Sequence, residues 1–398
     1  AAALALAGCS SEEKERPSGP GAWRPTHPMS HARAFTSTTV LADGTVLVAG
    51  GDRLTGGVSW VVGTSERFDP RTETWSAAGR LGVPRGYHGA AQLSDGSVLL
   101  VGGDGADDTA LRSAERWDSV ILSWSRTDGD LATGRLVPSA TTLTSGKVLV
   151  AGGLTRTAGS AGEPVASAEL FDPNTDRFTA TGGMHHARFH HGVALLPSGR
   201  VLVAGGCDNP DCTSGTETAE LYDPTSGVWT VAAPLPAARI GITLTVLRSG
   251  EVLAAGGCIS NVWCTGETRS AYLWREQDDA WLPVGVMSTG HALHFAGLLP
   301  DGKVLVAAGD NPAGYGVAGE LYDPATATWS ATTNTWSFHG AGVVGAVLLD
   351  GRVSLADPGR CPGPTALPRT ADGRAPGRHR ALPGRRRRRL RQGPDRQS

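Results

Sequence analysis

Three histidines, His88, His191 and His294, occupy the same position in a segment that recurs along the chain. Neutral imidazole nitrogens bind transition metals, and histidine changes its charge near neutral pH. If these side chains met on one axis, they would form a metal site. They come from alternate copies of the segment, however, so the spacing also fits three separate histidines that are buried or solvated at the entry to a strand.

A cation and an acid also recur, at nearly constant distances from the aromatic residues of each repeat. The cations are Arg33, Arg85, Arg135, Arg188, Arg239, His291 and His339, and the acids are Glu66, Glu115, Glu169, Glu220 and Glu320, with Tyr272 in place of one acid. A residue type that is present in every repeat rarely marks one active site, so we predict buried Arg–Glu pairs that hold neighbouring strands together. The repeat with Tyr272 precedes the one with His291, and we expect these two exceptions to be linked.

The cysteines of the repeats come in two close pairs. Cys207 and Cys212 lie in CDNPDC, and Cys258 and Cys264 lie in CISNVWC, each pair directly after a segment that ends in Gly-Gly. Neither loop contains a histidine, and the spacings are not those of zinc sites. Short disulfide-bonded loops are typical of exported proteins, so we predict two disulfides.

One repeated phrase defines the elements that position these residues. It reads LADGTVLVAGGD, LSDGSVLLVGGD, LTSGKVLVAGGL, LPSGRVLVAGGC, LRSGEVLAAGGC and LPDGKVLVAAGD, and its Asp-Gly or Ser-Gly pairs, with a seventh at Asp350-Gly351, lie 49 to 53 residues apart. Each pair predicts a tight hairpin, and the apolar run after it predicts a strand that is buried on both faces. Two aromatic residues seven positions apart follow each loop. Each repeat therefore supplies four short strands, a to d, and the predicted fold class is all-β.

This pattern of hairpin turn, Gly-Gly, aromatic residue and Trp resembles that of kelch repeats, and over residues 22–356 the chain resembles a kelch β-propeller, in particular a bacterial kelch-repeat lipoprotein. The resemblance implies four-stranded blades around a central axis. The seventh repeat departs from the pattern, because Ser354 falls where the others have Leu or Ala and Asp357-Pro358 replaces Gly-Gly. We predict seven blades, the seventh shared between an outer strand near Trp23 and two strands at 340–356, without a strand c.

The loops between strands b and c differ most between repeats, and variable loops on a constant scaffold are where specific binding residues are expected. The candidate ligand-face residues are Trp60, Tyr87, Arg85, Arg188, Trp263 and Tyr315. Exposed aromatic side chains among polar residues contact sugars and protein partners. Calcium at Asp104, Asp107 and Asp108, or at Asp208 and Asp211, is an alternative, although no twelve-residue calcium loop is present.

The two ends of the sequence differ from the repeats. Residues 1–9 read as the end of a lipoprotein signal peptide, since Leu6-Ala7-Gly8-Cys9 resembles a lipobox that would place a lipid on Cys9, and residues 10–21 read as a flexible tether. This predicts an exported protein that is lipid-anchored in the bacterial cell envelope, at the outer membrane and either periplasmic or surface-exposed. Residues 357–398 read as a disordered Arg/Pro-rich tail or as a frameshifted segment.

Charge excludes one class of partner. Residues 352–398 contain thirteen Arg and three Asp, and the remaining 351 residues have a net charge of −12, so nucleic acid is not a predicted partner of the repeats. We predict a monomeric, non-enzymatic binding or scaffold module for a glycan or a protein, without catalytic residues, metal or cofactor. The alternative is a copper-dependent oxidoreductase resembling galactose oxidase, where the resemblance implies copper bound on the axis by two His and two Tyr. Only Tyr87 and Tyr315 are free of repeat positions for such a role.

Overall fold

The computed structural model describes residues 3–6, 23, 26–55, 58–260, 265–309, 319–332 and 343–356, and all regular structure in these residues is β-strand. The first strands in chain order are β1 (Ala3–Leu6), β2 (Ser37–Val40), β3 (Val46–Ala49), β4 (Asp52–Thr55), β5 (Val58–Val61), β6 (Thr64–Asp69), β7 (Thr74–Arg80), β8 (Gly89–Gln92), β9 (Val98–Val101), β10 (Ala114–Asp118), β11 (Ser123–Arg126), β12 (Ser139–Thr142), β13 (Val148–Ala151), β14 (Leu154–Thr155), β15 (Glu163–Pro164) and β16 (Ala168–Asp172).

The remaining strands are β17 (Arg177–Thr181), β18 (Gly192–Leu195), β19 (Val201–Ala204), β20 (Ala219–Asp223), β21 (Val228–Ala232), β22 (Thr243–Val246), β23 (Val252–Ala255), β24 (Cys258–Ser260), β25 (Thr265–Glu267), β26 (Ser270–Arg275), β27 (Ala280–Val286), β28 (Phe295–Leu298), β29 (Val304–Ala307), β30 (Glu320–Asp323), β31 (Thr328–Ala331), β32 (Val344–Val347) and β33 (Val353–Ala356). No helix in these parts of the chain could cross a lipid bilayer.

Six four-stranded antiparallel sheets form the blades of a propeller, as predicted. In order from strand a to strand d they are blade 1 (β2-β3-β6-β7), blade 2 (β8-β9-β10-β11), blade 3 (β12-β13-β16-β17), blade 4 (β18-β19-β20-β21), blade 5 (β22-β23-β26-β27) and blade 6 (β28-β29-β30-β31). Strand b of every blade is buried along its whole length, for example at Val201–Ala204, because neighbouring blades cover both of its faces. This explains why the apolar run shows no alternation.

A seventh, smaller sheet closes the ring. Its strands β32 and β33 pair antiparallel, and β32 contacts the innermost strands of both blade 6 and blade 1. The hydroxyl of Thr38 in blade 1 donates to the carbonyl of Gly345 at 2.7 Å across this junction. Seven innermost strands therefore surround the axis, but among the described residues only six blades are complete. The strand beside β33 is β1, which pairs in parallel where other blades have an antiparallel strand c.

The predicted contribution of Trp23 to the seventh blade agrees with its contacts, although no strand is present at this residue. In blades 4, 5 and 6 the outer-strand Trp donates its indole N–H to a carbonyl near the end of the preceding blade's outer strand, as Trp229 does to the Gly182 carbonyl at 2.7 Å. Trp23 repeats this contact with the hydroxyl of Thr332 at 3.2 Å. Its fully buried side chain packs in one cluster with Val353 and Leu355 of β33. A residue from the start of the chain thus takes the outer place in the last blade.

Candidate functional site

The face that carries the b–c loops has two kinds of loop, in alternation. In blades 1, 3 and 5 the loop extends as a small hairpin, formed by β4–β5, β14–β15 and β24–β25. Two of these hairpins expose large apolar side chains, Trp60 at 62% and Ile259 at 51%. The loops of blades 2 and 4 instead fold back as compact turns. Projecting and compact loops therefore alternate around blades 1 to 5.

A disulfide and an ion-pair cluster hold the two compact loops in place. In blade 4 a disulfide joins Cys207 and Cys212, and both side chains are fully buried. In blade 2, Asp104 and Asp108 are ion-paired with Arg156 from the loop of blade 3, at 2.5 and 3.4 Å. The Arg156 guanidinium thus pairs with two of the three carboxylates that the calcium alternative names. Cys258 of blade 5 is also disulfide-bonded, and its predicted partner Cys264 lies outside the described residues.

A collar of residues in the left-handed backbone region surrounds the axis on the same face. It comprises Phe35, Tyr87, Val137, His190, Gly241 and Leu293, with φ between 49° and 62°. The amide of Tyr87 donates to the Phe35 carbonyl at 3.0 Å, and that of Val137 donates to the Tyr87 carbonyl at 2.7 Å, so the members link neighbouring blades. Except for Gly241, their side chains are half-exposed. A left-handed backbone costs about 1–3 kcal/mol at each residue other than glycine, and such strain concentrates at functional sites.

Tyr87 and Phe35 form an aromatic stack in this collar. Their ring centroids lie 4.1 Å apart, with an interplanar angle of 18°. Tyr87 was predicted to be a ligand-face residue, and the structure places it beside the axis. Phe35, Val137 and Leu293 were missed. The signal that could have found them is positional, because every collar residue stands two places after a residue of the cation column.

The cation column forms the predicted buried pairs. Arg33, Arg85, Arg135 and Arg188 each contact the Glu in strand c of their own blade, at 2.7 to 3.0 Å, and their side chains have no exposed surface. Arg188 also donates to the carbonyls of Gly205 and Thr218 at 2.9 and 2.8 Å. The prediction that Arg85 and Arg188 contact a ligand is therefore wrong, because both guanidinium groups are enclosed between strands.

Each Glu in these pairs also accepts a hydrogen bond from a backbone amide of the connection that precedes its blade. Glu220 accepts hydrogen bonds from the backbone amides of His185 and His186, at 2.7 and 3.0 Å, in the connection that arrives from blade 3. Burial alone would raise the pKa of Glu220, but these amides, the His185 ring and Arg188 lower it below its usual value. The carboxylate therefore stays charged and joins strand c of blade 4 to the connection from blade 3 through hydrogen bonds.

Blade 5 is the exception, and its compensation differs from the one predicted. Tyr272 replaces the Glu, and Arg239 of the same blade lies over its ring at 5.9 Å. His291 contacts Glu320 in blade 6 at 3.4 Å, so the predicted link between Tyr272 and His291 is wrong. The position in blade 5 that corresponds to His185 is Pro236, which has no amide proton to donate. The missing acceptor thus coincides with a missing donor.

The histidine column does not converge. Each imidazole packs against the first glycine of the Gly-Gly pair in the preceding blade, so that a Cβ on Gly50 would lie 2.8 Å from the His88 ring, and one on Gly152 would lie 2.8 Å from the His191 ring. Burial lowers the pKa of both histidines to about 3, assisted by the positive charges of Arg85 and Arg188. These rings are neutral, space-filling groups at the strand entries.

The described residues do not assemble the ligand set of the copper alternative. No three His, Cys, Asp or Glu side chains in this part of the chain are grouped to hold a metal ion. Tyr222 and Tyr322 are fully buried in strand c, each beside the outer-strand Trp of its blade, with ring centroids 5.1 Å apart. Tyr87 stacks on Phe35. Tyr315 and Trp263, both predicted at the ligand face, and Cys9 lie outside the described residues.

Comparisons with known proteins agree with this architecture. The kelch motif matches residues 188–236. The chain is 36% identical to human Kelch-like protein 34 over 110 residues, and 22% identical to Kelch-like protein 38 of Rattus norvegicus over 215 residues. These alignments cover 27% and 54% of this chain but only 16% and 34% of the relatives, so the chain spans about a third or less of their length.

A solved structure extends the similarity to most of the fold. It is described as a novel fungal alcohol oxidase with catalytic diversity among the AA5 family, in complex with copper, and its TM-score with this chain is 0.64. The alignment covers 82% of this chain and 70% of the oxidase, at 17% sequence identity, which establishes a shared fold and nothing about chemistry. Blades, repeat motif and comparisons agree: the protein is a kelch-repeat β-propeller.

Proposed function

We propose that the chain is a binding module that holds a protein partner against its b–c loop face. The observation that carries this proposal is the arrangement of projecting hairpins with exposed apolar tips beside a collar of half-exposed aromatic and aliphatic residues. Exposed Trp and Tyr are the side chains most enriched at the energetic centres of protein interfaces. The similarity to Kelch-like proteins supports a protein as partner.

The rigidity of this face supports the proposal. The compact loops of blades 2 and 4 are fixed by an ion pair and a disulfide, and buried Arg–Glu pairs lie beneath the connections of most blades. A face whose backbone is already ordered loses little conformational entropy on binding. Trp60 adds a large contact surface on a side chain with only two rotatable bonds.

A selection experiment tests the proposal. Peptides displayed on phage are selected against the full chain, and their binding is then measured with Trp60→Ala, Tyr87→Ala and Val120→Ser. Val120 is a matched control because it is 86% exposed but lies in the c–d turn of blade 2, at the opposite end of the propeller. We expect about tenfold or greater loss with the first two variants and none with the third. Equal binding by all variants would exclude this face.

Two further measurements test the alternative functions, glycan binding and copper-dependent oxidation. A glycan array probes the sugar alternative, and binding that depends on Trp60 would assign the face to a glycan instead of a protein. Copper content, measured by mass spectrometry on folded protein offered copper, probes the oxidoreductase alternative. About one tightly held copper per chain would overturn a purely binding role.

Attachment to the cell envelope is part of the proposal and rests on the sequence around Cys9. The relevant probe is metabolic labelling with a fatty-acid analogue in a bacterial host. We expect label on the wild-type chain and none on Cys9→Ala. Label on both chains, or on neither, would remove the lipid anchor without affecting the proposed binding face.

A further inference from the structure

Among the described residues, the seventh sheet has no antiparallel strand beside β33, where every complete blade places its third strand. In blades 1 to 6 the third strand is antiparallel, and in blade 4 it pairs Glu220 with Val203 and Tyr222 with Val201. In the seventh sheet β33 pairs instead with Ala3–Leu6, which runs parallel. The place between β33 and Trp23 thus holds a strand of the wrong direction and the wrong residue pattern.

The segments with the third-strand pattern already belong to the complete blades. The third strands read SERF, AERW, AELF, AELY and ELY in blades 1, 2, 3, 4 and 6, with SAYLW in blade 5, and each is used in its own blade. Residues 357–398, which follow β33 in the chain, contain no aromatic residue and no Glu. Residues 357–398 therefore supply neither the Glu nor the aromatic ring that most of the complete blades bury at these two positions.

A buried polar atom provides independent evidence. Ser354 of β33 is 1% exposed, and its hydroxyl has no hydrogen-bond partner among the described residues. The corresponding residue is Leu in all six complete blades. An unsatisfied buried hydroxyl costs about 1–3 kcal/mol, so a polar group placed opposite Ser354 would stabilise the sheet.

We propose that β33 is an acceptor site for an extended peptide strand from another polypeptide, which binds antiparallel and completes the seventh blade. The fitting strand alternates as the third strands of this chain do, with Glu and an aromatic residue two positions apart. The residue between them lies opposite Ser354 and is polar, so that it satisfies the hydroxyl. Main-chain hydrogen bonds supply affinity in this mode, and alternate side chains supply specificity.

The N-terminal strand is the internal competitor of this partner. A segment tethered in the same chain acts at an effective concentration of about millimolar, so it weakens the apparent affinity of any free peptide. Processing before Cys9, as proposed above, would remove Ala3–Leu6 and open the site. The strand-acceptor site and the b–c loop face are separate, and failure of one leaves the other intact.

The experiment uses the full chain and a labelled peptide, TAELYDPT, which copies residues 218–225 of blade 4. Binding is followed by fluorescence anisotropy with the wild type and with Leu4→Pro/Ala5→Pro, in which β1 loses two adjacent amide protons. We expect saturable binding that is about tenfold or more tighter to the proline variant. Absence of binding to both chains, or equal binding of a scrambled peptide, would overturn the proposal.

Two further readings locate the peptide. Hydrogen exchange should slow at Val353–Ala356 when the peptide is bound, and protection elsewhere without protection there would overturn the assignment. Two peptides carrying N-methyl groups on alternate residues should differ strongly, because only one set of amides faces β33. Equal binding of both would exclude strand addition.

A residue swap tests the role of Ser354. The peptide TAETYDPT, with Thr opposite Ser354, should bind the wild-type chain more tightly than TAELYDPT does, and Ser354→Leu should reverse this preference. An unchanged order of affinities in the two chains would show that the unsatisfied hydroxyl does not select the strand.

Discussion

Blades 4 and 5 are neighbours with the same four strands, and they hold their connections in different ways. Blade 4 buries a charged pair, Arg188 and Glu220, and the Glu also accepts the amides of His185 and His186. In blade 5, Arg239 lies over the ring of Tyr272. The connection that precedes this blade contains Pro236. The comparison indicates that the Glu is present where an amide of the connection requires an acceptor, and is replaced where a Pro removes that amide proton.

The largest effect should follow when the carboxylate of blade 4 is removed. Glu220→Gln leaves Arg188 buried without its counter-ion and weakens two amide contacts, so the free energy of unfolding should fall by about 3–5 kcal/mol. Tyr272→Phe in blade 5 should cost less than about 1.5 kcal/mol, since one hydroxyl is lost. Urea unfolding of both variants measures the difference, with Glu217→Gln, an exposed residue of blade 4, as control. Equal losses in the two blades would contradict the comparison.

The disulfide of blade 4 should have the next largest effect. It closes a loop with a sequence separation of 5, and removing it with Cys207→Ala/Cys212→Ala should lower the free energy of unfolding by about 2 kcal/mol. Because Cys258 of blade 5 is also disulfide-bonded, dithiothreitol should destabilise this variant further. A variant that is insensitive to reduction would show that blade 5 gains nothing from its own disulfide.

Acid should weaken blade 4 more than blade 5. His191 has a pKa of about 3 in the fold because burial disfavours its charged form, whereas an unfolded histidine titrates near 6.5. The unfolded chain therefore binds more protons below pH 6.5, and stability falls as the pH drops from 6.5 towards 3, by roughly 1.4 kcal/mol per pH unit for each such histidine.

Blade 5 supplies the matched variant for this test, since Ile242 stands where blade 4 has His191. Between pH 7 and pH 5.5, the free energy of unfolding of His191→Ile should fall by about 1 kcal/mol less than that of the wild type. Urea unfolding at each pH measures this difference. An identical pH dependence in the two proteins would mean that this imidazole accepts a proton in the folded state.

The smallest effect is a coupling. Tyr272→Glu returns a carboxylate to blade 5, and Pro236→Ala returns an amide that it can accept. We expect Tyr272→Glu alone to raise the free energy of unfolding only slightly. The double variant should exceed the sum of the two single changes in this free energy by about 1 kcal/mol. A double-mutant cycle of unfolding free energies measures this. Additive effects would show that Pro236 and Tyr272 are unrelated.

The repeat made most of the fold predictable, because each strand recurs with the same turn and the same buried run. The Arg–Glu pairs were predictable for the same reason, and their number argued against a role in ligand binding even though Arg85 and Arg188 were counted as candidates. The change that accompanies Tyr272 was not predicted. It lies at Pro236, which differs from the other repeats by a missing amide proton and not by a side chain that a pattern would reveal. The collar was missed because its members share a backbone conformation and no residue type.

The seventh blade shows the limit of pattern alone. Trp23 could be assigned to it because the outer-strand Trp recurs at a fixed place, and its contact with Thr332 agrees with that assignment. The parallel strand Ala3–Leu6 was not predictable, since it matches no repeat position and pairs in parallel with the edge of β33.

The contact between Trp23 and Thr332 joins residues that lie 309 positions apart. At the usual rate of synthesis of about 5–20 residues per second, the indole of Trp23 leaves the ribosome roughly 15–60 s before its acceptor exists. During that interval the earlier blades can pair locally, but the ring stays open and the first blade lacks one neighbour. Ring closure must therefore follow the synthesis of blade 6, and until then the N-terminal segment that carries Trp23 cannot take its place in the ring.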